Sequence, residues 1–396
     1  MIDDFTPQSM HRPSNVAVLG DLIRRASAEG LALYPFGGGT MQHLGYTPTK
    51  PGLGIHMRAF DQVIDYPARD MTITVQAGIT IAKLQEALAK ENQRLPVDVP
   101  MPEAATLGGA IAVNASGPRR YGYGTLRDYV IGISFMNDEG QEVKAGGRVV
   151  KNVAGYDICK LQIGTLGTLG IITQVTLKVK PKPEACAAIA LVWPQGTIAN
   201  LLDGLHASQT RPVCVEIMSP TMIGAANYQL LIGYEDSHDA VVWQTRQLER
   251  ELHSECPFLV RSGDDAQGVL AQLNSDPSEK AELGLKANLL PSELPEFLQQ
   301  LAGQSRLTWK AHAGNGIVSG HFADGLTFPE ARDILASLRQ FAVQHHGNLV
   351  IARCPAEWKR ELPIWGEPRG DWALMKKVKH EIDPKNLFNP GRFVVG

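Results

Sequence analysis

The sequence has few cysteines, and their spacing argues against cysteine-bound cofactors. Five occur in 396 residues: Cys159, Cys186, Cys214, Cys256 and Cys354. None belongs to a Cys-x-x-Cys pair, so we expect neither an iron–sulfur cluster nor a structural zinc site in this chain. An odd number of scattered cysteines is typical of buried thiols in an intracellular protein.

Long runs of one kind of residue are also missing. The 38 Lys and Arg against 41 Asp and Glu give a net charge of −3, and the absence of a long basic run argues against nucleic acid as a partner. No apolar stretch approaches the roughly 20 residues that a membrane-spanning helix needs. The start, Met1–Phe5, lacks the basic and apolar regions of a signal peptide. We expect a cytoplasmic protein, with any contact to the inner membrane made indirectly through a partner.

Glycine is abundant in one stretch, Pro102 to Pro181. Its glycines include Gly108, Gly109, Gly117, Gly122, Gly124, Gly155, Gly164, Gly167 and Gly170, which lie between apolar runs. Glycine lets the backbone approach another body closely and turn at positive φ. Two interpretations remain open from this composition: a backbone wrapped around a flat or anionic molecule, or a β-domain with tight turns.

A second glycine-rich segment lies upstream. Ala32–Phe36 is typical of a short strand, and it leads into Gly37-Gly-Gly-Thr-Met-Gln42. Successive glycines let backbone N–H groups converge into a concave nest that holds phosphate oxygens, and Thr40 adds a hydroxyl donor. The segment is neither a Walker loop nor a Gly-x-Gly-x-x-Gly loop. An ordinary hairpin or bulge is the alternative.

Four motifs in order then carry a family resemblance across nearly the whole chain. They are Pro35-Phe-Gly-Gly-Gly-Thr40, the segment from Thr106 to Gly117, Gly167-Thr-Leu-Gly-Ile-Ile172, and Asn389-Pro-Gly391. Together they resemble the PCMH-type FAD-binding domain of the vanillyl-alcohol oxidase superfamily. With the phrase Lys151–Leu161, the chain is most similar to the accessory FAD-binding subunits of bacterial glycolate oxidase. Such a set is more specific than one glycine-rich loop.

Some members of the family carry a histidine that binds the flavin covalently, and none is evident in the loop Pro35–Gln42. His43, which follows the loop, is the only nearby candidate, so we expect non-covalent FAD. Arg119, Arg120 and Arg127 are each expected to be surface charges, with the alternative that one of them balances the cofactor diphosphate. The residues expected to contact FAD are Pro35, Gly37, Gly38, Gly39, Thr40, Met41, Gly78, Pro102, Thr106, Leu107, Gly108, Gly109, Asn114, Ser116, Gly117, Gly122, Gly167, Gly170, Ile171, Ile172 and Asn389.

The same resemblance implies an α+β fold. We expect a two-subdomain PCMH-type FAD-binding domain (1–182), an α/β cap domain with an antiparallel sheet (183–370), and a C-terminal helix and tail (371–396) that return to the FAD domain. Lys180-Pro-Lys-Pro183 marks the main boundary. Hydrophobic periodicity predicts helices at 14–29 (capped by Ser14), 80–92 (capped by Thr80), 197–208, 238–253, 291–302, 328–346 (with a capping box of Thr327 and Glu330) and 372–382. It predicts strands at 72–77, 171–179, 186–193, 213–218, 228–234, 306–311 and 347–352, and a hairpin at 130–149.

The cap lacks the acid–base residues of related 2-hydroxy-acid dehydrogenases. Where those relatives carry His-x-Gly-Asp-Gly-Asn-x-His, this chain has His312–Ser319, without the second histidine. Their Gly-Glu-His-Gly phrase corresponds to Asn348–Cys354, which has no Glu-His. We therefore expect no metal site. Catalytic residues stay unassigned: His312 and His321 are expected to be structural, and Glu216 or Arg353 have no assigned role.

Three functions remain. The first is an FAD-binding accessory subunit of a complex that oxidises glycolate to glyoxylate, structural or electron-relaying, beside a catalytic FAD-linked subunit and an iron–sulfur subunit. The second is a self-sufficient FAD-dependent 2-hydroxy-acid (lactate-like) dehydrogenase. The third is a scaffold without flavin. The missing Glu-His argues against the second, and the intact Gly37–Thr40 loop argues against the third.

Overall fold

A computed structural model describes residues 5–148, 157–194, 198–224, 227–252, 258–274, 281–323 and 325–394. The strands are β1 (Ser9–His11), β2 (Ala32–Phe36), β3 (Gly52–His56), β4 (Val63–Asp65), β5 (Thr72–Gln76), β6 (Gln93–Arg94), β7 (Val130–Met136), β8 (Glu142–Gly146), β9 (Ile171–Lys178), β10 (Lys180–Pro181), β11 (Ala185–Trp193), β12 (Cys214–Met218), β13 (Tyr228–Asp236), β14 (Leu259–Ser262), β15 (Leu283–Asn288), β16 (Leu307–His312), β17 (Ile317–Phe322) and β18 (Asn348–Arg353). The helices are α1 (Val16–Glu29), α2 (Ile81–Ala89), α3 (Leu107–Val113), α4 (Arg120–Tyr123), α5 (Leu126–Tyr129), α6 (Ile158–Gln162), α7 (Ile198–Ala207), α8 (Pro220–Ile223), α9 (His238–Leu252), α10 (Gly263–Gln272), α11 (Leu294–Ala302), α12 (Phe328–Gln344) and α13 (Trp372–Ile382). The expected α+β class is confirmed.

These elements form two compact units. The first unit comprises Met1–Ser116, Thr125–Lys182 and Glu367–Gly396, and the second unit comprises Gly117–Gly124 and Pro183–Gly366. This division differs from the expected domains in two places. It assigns the short segment Gly117–Gly124 to the second unit, and it assigns residues 367–370 to the first.

The first unit is built on two main sheets. One has five strands in the order β4-β5-β9-β7-β8, all antiparallel, and the other has three parallel strands in the order β1-β3-β2. In the five-stranded sheet Val175 lies opposite both Val75 and Ile133, and all three side chains are buried. The predicted alternation of strands β5 and β9 therefore places their apolar residues in the core.

The second unit is built on one antiparallel sheet of eight strands. Their order is β14-β11-β13-β12-β16-β17-β15-β18. The predicted antiparallel cap sheet is confirmed, but strands β14, β15 and β17 and helices α8 and α10 had no counterpart among the predicted elements. Helix α12 begins with the predicted capping box: the Thr327 backbone N–H and hydroxyl donate to Glu330 Oε2 at 2.8 and 2.6 Å.

Two local predictions were wrong. The cap of α1 is Asn15 rather than Ser14, because Asn15 Oδ1 accepts from the Val18 N–H at 3.0 Å. The segment after Thr106 was expected to be a loop, yet it forms helix α3. Two glycines lower the helix propensity there, but burial of Leu107, Ala110 and Ile111 outweighs that cost.

Residues Lys151–Tyr156 of the phrase Lys151–Leu161 lie outside the described ranges. Within those ranges, no helix has the length and apolar character needed to cross a bilayer.

The C-terminal tail returns to the first unit, as expected. After α13, the Leu33 N–H donates to the Leu387 carbonyl at 2.7 Å, and the Asn389 N–H donates to the Leu33 carbonyl at 3.0 Å. The tail thus runs parallel to strand β2, beside the start of the Gly37–Gly39 loop. It also reaches the turn that precedes strand β9, since Asn389 Nδ2 donates to the Leu166 carbonyl at 2.6 Å.

A buried ammonium group holds this tail in place. Lys379 Nζ pairs with the fully buried Asp383 carboxylate and donates to the carbonyls of Thr168 at 2.7 Å and Phe388 at 3.0 Å. Asp383 in turn accepts from the N–H groups of Leu387 and Phe388, each at 2.9 Å. Burial lowers the pKa of Lys379, and the Asp383 charge opposes that shift.

We predict that Lys379→Met destabilises the chain by about 3–5 kcal/mol, because it leaves the Asp383 carboxylate buried without its cation. Urea unfolding followed by circular dichroism measures this loss. Lys376→Met, which removes an exposed lysine from the same helix, is the matched control. Equal stability of the two variants would show that the buried pair does not hold the tail.

Candidate cofactor site

The first unit contains a groove that encloses about 820 Å³ of atom-free space, its open mouth included. Four segments far apart in sequence meet there: the loop after β2, the start of α3, the turn before β9, and the C-terminal tail. Fourteen of the expected cofactor residues line it: Pro35, Gly37, Gly38, Gly39, Thr40, Met41, Thr106, Gly108, Gly109, Gly167, Gly170, Ile171, Ile172 and Asn389. The fold therefore gathers two thirds of the expected set into one place.

Seven expected residues do not line the groove. Gly78, Pro102, Leu107, Asn114 and Ser116 lie elsewhere in the first unit, and Gly117 and Gly122 belong to the second. Two of these glycines are explained by packing. A Cβ on Gly78 would lie 2.0 Å from the Met57 carbonyl oxygen, and one on Gly122 would lie 2.7 Å from Val213 Cα.

The loop Gly37–Gly39 is pressed against the chain that enters α3. A Cβ on Gly37 would lie 2.0 Å from Thr106 Oγ1, and one on Gly38 would lie 1.8 Å from the Ala104 carbonyl oxygen. Gly39 has a φ of 76°, which favours glycine. No other described residue accepts a hydrogen bond from the backbone N–H groups of residues 38–41. Those donors are available to an anion.

The start of α3 was expected to contact the cofactor, but its first backbone N–H groups bind acceptors within the protein. The N–H groups of Leu107 and Gly108 donate to the carbonyls of Ile79 at 2.9 Å and Ala77 at 2.7 Å. The third, on Gly109, points to Thr106 Oγ1 at 3.4 Å. These donors are used within the protein. Gly108 is needed for close packing, because a Cβ there would lie 2.9 Å from the Ala77 Cβ.

The tail supplies a cation that sequence reasoning missed. Arg392 lines the groove, is 4% exposed, and donates to the carbonyls of Gln42 at 2.7 Å and Tyr46 at 3.1 Å. None of the three arginines proposed for the diphosphate lines the groove; Arg119 pairs with Glu235 at 3.2 Å, and Arg127 donates to the Lys160 carbonyl at 2.8 Å. Its position in the sequence, directly after the motif Asn389-Pro-Gly391, could have identified Arg392 as a cofactor residue.

These groups fit FAD. The N–H groups of residues 38–41 and the Arg392 guanidinium suit a diphosphate, and apolar side chains such as Met57, Ile171 and Ile172 suit a flat ring. Asn389 adds a buried Oδ1 that has no hydrogen-bond partner among the described residues. A buried acceptor of this kind normally requires a donor, which a bound molecule can provide.

The second unit holds a buried Glu–His pair that the sequence left unassigned. Glu216 on β12 lies opposite His312 at the end of β16, and His312 Nδ1 is 2.7 and 2.8 Å from the two carboxylate oxygens. Glu216 is fully buried and His312 is 8% exposed. His321 lies opposite Thr308, four residues from His312 along β16 and thus about 13 Å away. The two histidines therefore do not form a pair.

Comparison with known proteins agrees with the groove. Residues 7–146 match the family described as the FAD binding domain. The chain is 25% identical to glycolate oxidase subunit GlcD of Bacillus subtilis, covering 98% of this chain and 88% of that protein. It is 25% identical to D-lactate dehydrogenase of Archaeoglobus fulgidus, and the match covers 97% of this chain and 90% of that protein. A stretch of 139 residues is 35% identical to glycolate oxidase subunit GlcE of Escherichia coli, covering 35% of this chain and 40% of that protein.

Solved structures share the fold. Alkyldihydroxyacetonephosphate synthase matches with a TM-score of 0.70 at 18% identity, covering 97% of this chain and 77% of the other. FgChi7B matches with a TM-score of 0.72 at 15% identity, and the match covers 98% of this chain and 91% of the other. At these identities the likeness concerns architecture alone.

We predict that Gly38→Ala weakens FAD binding at least about tenfold, the equivalent of about 1.4 kcal/mol. The new methyl group would overlap the Ala104 carbonyl and force the loop out of position. Titration of the apoprotein with FAD, followed by flavin fluorescence, measures the affinity. Gly370→Ala, where a Cβ meets nothing within 4 Å, is the control. Unchanged affinity in Gly38→Ala would place the diphosphate elsewhere.

Proposed function

We propose that this chain, an FAD-linked oxidoreductase with a PCMH-type FAD-binding domain, is the FAD-binding accessory subunit of a complex that oxidises glycolate to glyoxylate. The observation that carries the proposal is the 35% identity with the Escherichia coli subunit GlcE over a stretch of 139 residues, which is 35% of this chain. The loss of the second cap histidine and of the Glu-His phrase supports a role other than the main catalytic chain.

The chain's own residues would hold the cofactor without a covalent bond. The N–H groups of residues 38–41 and Arg392 would bind the diphosphate, and Asn389 Oδ1 would accept a hydrogen bond from the cofactor. Ile171 and Ile172 would pack on the ring and exclude water. Bound FAD supplies a hydride or electron acceptor, so the protein contributes binding, orientation and shielding.

An iron–sulfur partner and a catalytic FAD-linked partner would complete the complex. The four described cysteines are all buried, and the sequence has no Cys-x-x-Cys pair. Electrons leaving the flavin would therefore pass to a cluster on another chain. The two relatives named as glycolate oxidase subunits, GlcD and GlcE, support an assembly of several chains.

A second candidate is a self-sufficient dehydrogenase for a small 2-hydroxy acid. Two observations favour it: similarity to GlcD and D-lactate dehydrogenase over almost the whole chain, and the Glu216–His312 pair. A buried carboxylate on Nδ1 fixes the imidazole and leaves Nε2 to take a proton, as the orienting acid does in a catalytic triad. Such a pair could replace the missing Glu-His base.

Anaerobic flavin reduction separates the two candidates. The FAD-loaded chain is mixed with glycolate, and separately with D-lactate, and the flavin absorbance is followed. The accessory role predicts that the band persists until the partner subunits are added. Bleaching in the chain alone would contradict that role and support the second candidate. A chain that takes up no FAD would contradict both.

We predict that His312→Gln changes the glycolate oxidation rate of the complex by less than about threefold if the chain is accessory. If His312 is a general base, the rate should fall by about 10²–10⁴-fold. Glu216→Gln tests the same pair through its carboxylate. His321→Gln, on the neighbouring strand β17, is the matched control. Flavin absorbance confirms in each case that the variant is loaded.

A further inference from the structure

A cavity in the second unit has no role in the proposed function. It has an open mouth and a volume of about 370 Å³, and it lies on one face of the eight-stranded sheet. Its floor comes from strands β11, β13 and β12. Side chains of α8 and α10 cover it, and strands β14 and β16 contribute the two ends.

Two small side chains leave the space open. Ala188 and Ala190 occupy alternate positions of β11 and therefore project from the same face of the sheet. Larger apolar side chains, among them Met218 and Leu231, surround them. Protein cores normally leave few voids larger than a water molecule. An apolar cavity of about 150 Å³ already takes up benzene, so this one can accept a longer molecule.

The charged side chains among the described lining residues are both cations. Arg261 and Lys310 are the charged members, and Gln229 and Gln272 add neutral amides. No aspartate or glutamate is among the described residues that line the cavity. Apolar walls with a few convergent polar groups are typical of small-molecule sites. The chemistry favours an apolar molecule with a negative charge.

Lys310 is the better placed of the two cations. It is half-buried on β16, opposite Met218, and its Nζ donates to the Leu273 carbonyl at 2.8 Å, which fixes the side chain. Arg261 is exposed on the edge strand β14, four strand spacings or about 19 Å from β16. We therefore assign the carboxylate to Lys310 and not to Arg261. A cation that is already ordered loses less side-chain entropy on binding.

We propose that this cavity binds an elongated apolar carboxylate, with its chain over Ala188 and Ala190 and its carboxylate on Lys310. This site is separate from the cofactor groove and does not depend on the proposed function. The geometry assigns the apolar chain to strand β11, next to the edge strand β14, and the charged end to β16.

Octanoate is a suitable probe, and 1-octanol is its neutral analogue. Isothermal titration calorimetry on the FAD-loaded full chain should show one octanoate per chain. Lys310→Met should weaken octanoate binding at least about tenfold while leaving octanol binding within about twofold. Ala190→Leu, which fills the centre, should weaken both ligands. Arg261→Met and the surface variant Lys182→Met are charge-matched controls that should keep the wild-type affinity.

Three results would overturn the site. These are no octanoate binding to the wild-type chain at millimolar concentration, equal octanoate affinity in wild type and Lys310→Met, or wild-type affinity in Ala190→Leu. Circular dichroism and thermal unfolding are recorded for every variant, so a folding failure of the second unit is seen directly. Octanoate binding without glycolate oxidation would leave this site intact and contradict the proposed function alone.

Discussion

The buried ammonium of Lys379 is the interaction on which the cofactor groove depends. It connects helix α13, the turn at Thr168 and the tail at Phe388 through one cation. A buried ion pair adds little net stability compared with apolar packing, because desolvation offsets its attraction. Its value here is specificity: a cation with fixed acceptors allows one arrangement of three segments. That arrangement places Asn389 and Arg392 in the groove.

Close backbone approach is the second constraint on the groove. Gly37, Gly38 and Gly108 each lie where a Cβ would overlap a neighbouring segment. These glycines bring the loop after β2, helix α3 and strand β5 within contact. The first N–H groups of α3 are used in this packing, whereas those of residues 38–41 have no acceptor among the residues that the structure describes. The same residue type therefore has a structural role at one point and a binding role at the next.

The second unit combines an eight-stranded antiparallel sheet with a buried Glu–His pair. Within the segment His312–Ser319, His312 is the residue that contacts a carboxylate, that of Glu216. Glu216 satisfies that histidine inside the sheet, so burial alone does not distinguish a structural pair from a proton-handling pair. The contrast between the cofactor groove and this single buried pair supports the multi-chain oxidation that we propose.

The sequence by itself determined the features that depend on local conformation. Glycine-rich turns, the caps Thr80 and Thr327, and the boundaries of most strands follow from neighbouring residues, and the motif order indicated FAD. The tertiary structure alone decided what depends on distant partners. Glu216 and His312 are 96 residues apart and meet only because β12 and β16 pair in one register. Helix α3 forms because its apolar face is buried, and Arg392 reaches the groove because Lys379 anchors the tail. Local propensity carries no information about such contacts, since register and burial are set by the whole fold.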